Sequence, residues 1–375
     1  MVKAKHFFDI VVIGGGPCGL AAALNLTKNG LSVAIIEKTS YTQKRIGEHL
    51  PPSALGVFHE LGIPTALIEE KEHLHCPGVV SWWGSDDTPH ELDYFFHPFE
   101  HGINLSRPKF DQAFANHARQ TGVVIFENTK IQKSSQSTHS WQIDVTDGKN
   151  NDCLEALFIL DASGKSASFS RAQGSRIMAF EPQVAITRHY TNCKTPISKQ
   201  KNHIVIESCD IGWWYFAPLS ANDCVCMLIT DTDLIDLRKP AIDMNWHSRL
   251  KKTQAIAESM QPFKDIIDTS VCSARTQRLN CFHGEGWLAV GDAAMAFDPL
   301  SSHGITKGLR HGWMAGKAIS NTMRGDRFAI NHFCNDLEHI FAEYVNTRAG
   351  YYATEQRWPD SLFWRRRHQL NHRQH

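Results

Sequence analysis

Residues 9–19 constrain the fold more than any other stretch. Asp9-Ile10-Val11-Val12-Ile13 is an almost unbroken apolar run, and it feeds directly into Gly14-Gly15-Gly16-Pro17-Cys18-Gly19. Such a run predicts a central strand covered on both faces. Gly14, Gly16 and Gly19 then supply a G-x-G-x-x-G turn. The first glycine permits the tight reversal, the second lets backbone approach a phosphate, and the third lets helix pack closely on strand. The helix predicted over 20–29, with Gly30 as its stop, offers unpaired N–H groups and a positive dipole end at its start. A second strand over 32–36 ends in Glu37, whose carboxylate can accept both hydroxyls of a ribose, with Lys38 beside it. Strand, glycine turn, helix, strand and acid in this order predict a dinucleotide site, the alternative being a ligand-free βαβ unit. An acid facing the ribose argues against a 2′-phosphate, and so against NADP in this pocket.

Three further signals follow in an order that one bound FAD explains. Arg107 precedes a helix running through His117 and Ala118; it suits a contact to FAD phosphate or ring edge, with N-terminal capping as the competing role. A buried strand over 157–160 ends in Asp161-Ala162-Ser163-Gly164, placing an acid and a flexible turn at a strand's C-terminal edge, where ligands of open α/β sheets collect. Another buried strand, 286–290, ends in Gly291-Asp292-Ala293-Ala294; Asp292 is placed to meet ribityl hydroxyls. The turn that follows, Phe297-Asp298-Pro299-Leu300-Ser301-Ser302-His303-Gly304-Ile305, is flanked by Pro299 and Gly304. It leads into a helix whose first N–H groups face the electron-rich pyrimidine edge of a flavin. Arg45 is a further contact to flavin or phosphate, with a surface arginine as the alternative.

The chain of 375 residues suggests two domains sharing an interface. The expected class is α/β: a Rossmann-like FAD-binding domain with an antiparallel β-sheet substrate domain and C-terminal helices. The FAD-binding domain is discontinuous, over 1–75, 106–175 and 276–330. The sheet domain takes 76–105 and 176–275, with strands expected at 184–190, 204–207, 212–218 and 224–230 and a helix over 242–260. Residues 331–375 form a C-terminal helical segment. The 39 basic and 39 acidic residues balance, so nothing points to nucleic acid or a membrane surface. Arg365-Arg366-Arg367 reads as a solvated helix face, with an acidic partner as the alternative. No apolar run reaches the length of a membrane span, and the first strand leaves no room for a signal peptide, which predicts a cytoplasmic protein. Ten cysteines without pairing pattern read as free, mostly core thiols, and no Cys or His spacing predicts a metal.

The order of GGGPCG, Glu37, Arg45 with Gly47-Glu48, Arg107, DASG, GWWYFAPL and GDAAMAFDPLSSHGI resembles the FAD-dependent aromatic monooxygenases of the p-hydroxybenzoate hydroxylase superfamily, and within it the tryptophan-halogenase-like branch. The resemblance covers residue 8 to the tail. It implies a single FAD, reduced by NAD(P)H or a flavin reductase, and oxygen transfer to an aromatic substrate through a flavin C4a-hydroperoxide. Halogenases of that branch carry G-W-x-W-x-I-P, a lysine after the Gly-Glu loop and a Glu-Ser-Thr-Gly turn. Here Tyr215 and Ala217 break the first, His73 to Gly78 offers no lysine, and Ser301, Ser302 and His303 replace Glu-Ser-Thr. These departures favour oxygenation. Gly47-Glu48-His49-Leu50-Pro51-Pro52, Ser81-Trp82-Trp83-Gly84 and residues 355–364 are similar to the flavoproteins that mature tryptophylquinone cofactors, which act on precursors of quinoprotein lysine or glycine oxidases.

Hydroxylating an indole needs a proton donor and a base rather than a strong protein nucleophile. His303 and Asp298 are the first candidates, then Glu48 and His49; a hydrogen-bonding scaffold is the alternative for each. Trp82, Trp83, Trp213 and Tyr215 are the candidate substrate walls, since alternation places Trp213 and Tyr215 on one sheet face; core packing is the alternative. Halogenation of a small molecule, reduction of an isoprenoid chain and a non-catalytic flavin-bound assembly factor remain as other readings.

Overall fold

The computed structural model describes residues 5–68, 73–84, 88–191 and 202–371. Its larger sheet is built on the strand Lys5–Ile13, which pairs in parallel with Val33–Ile36 on one side and Asn151–Asp161 on the other. Val124–Phe126 and Trp287–Ala289 extend the parallel array outward. The register ends nearly flush: Ile13 lies opposite both Ile36 and Asp161, and Asp161 opposite Ala289. Glycine turn, Glu37, the Asp161 turn and Gly291-Asp292 therefore all leave the same edge, although nearly 280 residues of chain separate the first from the last. Neighbouring carbonyls fix those exits. Gly14 N–H donates to Ile36 O and Ala162 N–H to Ile13 O, both at 2.9 Å. Asp147-Gly148 makes the expected hairpin between Trp141–Thr146 and Asn151–Asp161.

The helix Pro17–Lys28 packs against the helix Gly304–Met323 through glycines spaced every four residues, Gly308, Gly312 and Gly316. A Cβ on Gly312 would stand 2.1 Å from Cys18 O, and one on Gly316 2.9 Å from Asn25 Cβ. Four-residue spacing keeps those positions on one helix face, so the two backbones nearly touch. The glycine turn and the 297–303 loop, which begin these helices, are thus held in a fixed relation.

A seven-stranded sheet runs in the order Asp265–Ser273, Gln183–Thr191, Cys224–Asp231, Gly212–Pro218, Ile204–Cys209, Gly78–Trp82 and His90–Asp93, antiparallel except where Ile204–Cys209 meets Gly78–Trp82. One face carries Trp213 and packs on the C-terminal helices; the other carries Trp214 and Phe216 and packs on Lys239–Leu250 and Ala255–Met260. The single helix expected over 242–260 is thus two, broken at residues 251–254, where Glu207 accepts from Gln254 N and Ile256 N. Residues 74–76 and 102–104 do not join this sheet; they pair with His49–Leu50 in a separate three-stranded one.

The tail is structured by burial. Ala329–Thr354 is followed by Leu362–Asn371, in which Phe363 and Trp364 are wholly buried. The triple arginine is a solvated face only at Arg365, which is exposed: Arg367 is buried and pairs with Asp231 at 2.8 Å, and Arg366 reaches Asp231 at 2.9 Å. The described cysteines are free thiols, Cys193 lying outside the described residues. Among the described residues no helix is long and apolar enough to cross a membrane, and no cluster of three metal-ligating side chains occurs.

Candidate active site

The glycine turn is shaped for close approach. Gly14 has φ +105°, and a Cβ there would meet Ala162 O at 2.4 Å, whereas nothing lies within 4 Å of the position a Cβ on Gly16 would take. The helix that starts at Pro17 has no side-chain cap and no acid in its first turn, so its leading N–H groups are open to an anion. Gly304 likewise faces open space, and the helix it begins has no side-chain cap from His303. Asp292 presents a carboxylate 38% exposed in the groove between these ends. Burial alone would raise its pKa; Lys307, then Lys165, outweigh it and hold the carboxyl below the ordinary range. Open helix ends at both extremities, a sterically emptied turn and an exposed acid between them fit FAD.

Several side chains assigned to cofactor or chemistry take other positions. Glu37 Oε1 already accepts from Thr39 N, Thr39 Oγ1 and Arg45, and Oε2 from Gly15 N at 2.8 Å. Only Oε2 retains capacity, enough for one ribose hydroxyl rather than two. Lys38 is exposed at the strand end. Arg45 bridges Glu37 and Asp111, at 3.1 and 3.6 Å. Arg107 is committed to Asp111 and to the carbonyls of Ile46 and Gly47, both at 2.8 Å, so it holds the Gly47-Glu48 turn instead of reaching a phosphate. Asp161 accepts from Ser163 N, Ser170 N and Ser170 Oγ, bracing the turn that carries Gly164, a residue at φ +72°. Pro299 opens a short 3-10 turn, and Ile305 is buried behind it.

Asp298 does not fit an acid–base role. It is buried, its Oδ2 accepts from Gln183, Arg348 and Tyr352, and its Oδ1 from Leu300 N. With Oδ2 saturated and Oδ1 taken by a backbone amide, it anchors the loop to the C-terminal helix. Trp83 and Trp213 also leave the wall: both are buried, and their indole N–H groups donate to Tyr351 O and to the Tyr352 hydroxyl. Trp82 remains partly exposed at the end of its strand.

Glu48, His49, Tyr215 and His303 are brought together. Glu48 is buried, and neither carboxylate oxygen has a hydrogen-bond partner. Burial pushes its pKa up to about 7 against the pull of Arg107 and the amides of Gly47 and Glu48. His49 bonds Asn104 Oδ1 at 3.0 Å and the Tyr94 hydroxyl at 3.2 Å. Burial lowers His49 to about 4, opposed by the Asn104 bond and aided by nearby His303, so the ring is neutral at physiological pH. Tyr215 is pushed well above its ordinary value by burial, then by the charge of Glu48 and the neighbouring Cys76 and Tyr94. His303 is exposed at the end of the loop, its Nδ1 against Ser301 O.

Sequence reading missed Tyr94, Asn104, Cys76 and Lys307. Asn104 and Cys76 meet because the small sheet puts His49 opposite Asn104 and Cys76 opposite Gly102, and Tyr94 joins them where its N–H donates to Pro77 O; nothing local marks those pairings. Lys307 carried no clear signal, because Thr306 and His311 are buried on the same helix. It is buried and donates at 2.7 Å to both Asp292 and Met295 O.

The fold and the groove define a flavoprotein with a dinucleotide-type FAD site at the carboxyl edge of a parallel sheet. Residues 8–329 match the FAD binding domain family, and the chain belongs to it as an FAD-dependent oxidoreductase. It is 30% identical, over 98% of its length and 99% of the relative's, to the putative FAD-dependent oxidoreductase LodB of Marinomonas mediterranea. Among solved structures it resembles CmlS, a flavin-dependent halogenase, with a TM-score of 0.84 and 24% identity over 98% of this chain and 68% of that one. It also resembles QhpG, a peptidyl tryptophan dihydroxylase essential for tryptophylquinone cofactor biogenesis, with a TM-score of 0.80 and 22% identity over 96% and 78%.

Proposed function

We propose that the protein is an FAD-dependent monooxygenase that hydroxylates an aromatic, indole-type group, its substrate a tryptophan side chain in the precursor of a quinoprotein oxidase. The observation that carries the reading is Glu48, a buried carboxyl with two unpartnered oxygens and a pKa near neutrality, set beside Tyr215 and next to His49, which adjoins His303 of the 297–303 loop. A base of that strength accepts a ring proton at physiological pH and returns it to solvent afterwards.

FAD, when bound and reduced, supplies activation of dioxygen for transfer of one oxygen atom. The chain's own residues do the rest. Gly16 and the helix start at Pro17 receive the pyrophosphate, and Asp292, neutralised by Lys307, meets the ribityl chain. The open N–H groups at Gly304 stabilise negative charge on the ring. Arg107 and Asp111 hold the Gly47-Glu48 turn, Glu48 takes the proton released as the ring rearomatises, and neutral His49, fixed by Asn104 and Tyr94, keeps a second cation away from it. The likeness to LodB over nearly the whole of both chains, and to the tryptophan dihydroxylase QhpG in fold, supports this substrate class.

Halogenation is the second reading, favoured by the likeness to CmlS. Against it, the His73 to Gly78 segment places Cys76, not an amine, beside Tyr215, and Lys307 is committed to Asp292 and Met295 O. The test is incubation of the FAD-loaded protein with an oxidase precursor, a reductant and labelled dioxygen, with bromide present. One labelled oxygen on a tryptophan, read by mass spectrometry, is expected. Bromine on the ring would establish halogenation instead, and oxidation of reductant without a mass change would defeat both.

A further inference from the structure

On the far side of the Asp161 turn lies an open cavity of about 520 Å³ whose polar lining is dominated by three arginines, Arg171, Arg176 and Arg275, over a floor that includes Ile177 and Ala179. No carboxylate lines it. Arg171 and Arg176 have no side-chain hydrogen bond or ion pair among the described residues, and Arg275 uses only Nε, donating to Gln277 Oε1 at 2.8 Å. The cavity beside Arg188 makes the contrast: there Asp243 lines the wall and pairs with the arginine. Three guanidinium groups with no carboxylate partner line one concavity, and their planar forks match phosphate oxygens. The volume exceeds that of a lone phosphate and falls in the range of small-molecule sites.

The cavity is tied to the flavin groove. Ala179 on its floor pairs with Gln277, and Gln277 pairs with Ala296, the residue before the flavin loop begins at Phe297. Gln277 also donates to Lys165 O at 2.7 Å, and Lys165 is one of the cations that depress Asp292. The strand carrying Gln277 therefore connects the arginine cavity to the segment that enters the flavin loop. FAD needs an external reductant, and the described residues contain no second strand–glycine-turn–helix unit to hold one.

We propose that Arg171, Arg176 and Arg275 form the docking site for the phosphate groups of a nucleotide electron donor. The inference rests on the reading that this flavin is reduced by a phosphorylated donor. A nicotinamide dinucleotide and a reduced flavin mononucleotide share that chemistry, and the test separates them.

The experiment titrates inorganic pyrophosphate into FAD-loaded protein by calorimetry. It then measures competition with NADH, NADPH and FMN, and compares Arg171→Ala/Arg176→Ala/Arg275→Ala with Arg171→Glu alone. The bound-FAD spectrum and melting temperature report that each variant is folded. Saturable pyrophosphate binding is expected, weakened at least tenfold in both variants and by raised salt, with one nucleotide class competing for it. The rate of flavin reduction should need at least tenfold more of that nucleotide in the variants. Equal pyrophosphate affinity in wild type and variants, or a donor dependence that ignores the substitutions, overturns the proposal. Pyrophosphate bound at the arginines with no nucleotide able to reduce the flavin would remove the phosphorylated-donor reading and leave an anion site without that role.

Discussion

A carboxyl buried with neither oxygen hydrogen-bonded weakens the folded state whenever it is charged. Glu48 is in that position, and the sign of the effect follows from its shift. The folded protein holds the proton up to about pH 7, whereas the unfolded chain releases it near the ordinary value of 4.5. Glu48 thus costs nothing below pH 4.5, destabilises progressively as pH rises from there to about 7, and above that costs on the order of 3 kcal/mol. Glu48→Gln keeps the shape and removes the charge. The variant should melt higher than wild type at pH 8, and the difference should shrink as pH falls to 5, as read by thermal unfolding in matched buffers. The same substitution should lower turnover about 10²-fold or more, the scale of a lost general base. It should also abolish the rise in rate through pH 7 that is expected of the wild type. His49, already neutral down to about pH 4, contributes no limb to that profile. A variant that retains wild-type rate and profile would remove Glu48 from the chemistry while leaving the stability prediction standing.

At the scale of elements, the glycine-spaced contact between Pro17–Lys28 and Gly304–Met323 sets where the two ends of the cofactor sit. Gly312→Ala places a methyl 2.1 Å from Cys18 O, a backbone atom that cannot swing aside, so the helices must separate. A loss of about 1–3 kcal/mol or more is expected from overpacking. FAD affinity should fall with it, measured by urea unfolding and by flavin fluorescence on dilution; Gly325→Ala, with nothing near the added Cβ, tests the general cost of a positive-φ glycine instead. The contact also shows what a sequence displays. The parallel strands and their glycine turns were legible, because a buried strand reads as a continuous apolar run and a phosphate turn demands glycine at fixed offsets. FAD itself was legible for the same reason. Side-chain roles that depend on pairing across the chain were not: Arg107 met the carbonyls of Ile46 and Gly47 some 60 residues away, and Arg367 found Asp231 more than 130 residues away. The local pattern of Arg365-Arg366-Arg367 is that of a wet helix face, and only the docking of that helix on the sheet reverses it.

Across the whole molecule, one buried polar network joins the flavin loop, the seven-stranded sheet and the long C-terminal helix. Trp213 donates to the Tyr352 hydroxyl, Tyr352 donates to Asp298, and Arg348 pairs with Asp298 and Glu181, each at 3.1 Å. Phe297 lies flat on Tyr344, whose hydroxyl receives Asp298 N–H at 2.6 Å. The 297–303 loop, which on the proposed reading faces the flavin ring, is therefore positioned by residues 344–352, and loosening the helix should act on the cofactor at a distance. Arg348→Met leaves two buried carboxylates without their cation, a change that costs about 3–5 kcal/mol. Asp298→Asn alone should cost less, since an amide oxygen at the Oδ2 position still accepts from Tyr352, although the NH2 then faces Leu300 N. The double variant should lose less than the two singles combined, because once Asp298 is neutral only Glu181 is left unpaired by removing Arg348. Urea unfolding of the four proteins measures the coupling, and retention of bound FAD after gel filtration measures the loop. Arg348→Met should release cofactor while Arg171→Ala, on the exposed rim of the arginine cavity, retains it. Additive losses with FAD fully retained would mean that the C-terminal helix stabilises the fold without setting the position of the flavin loop.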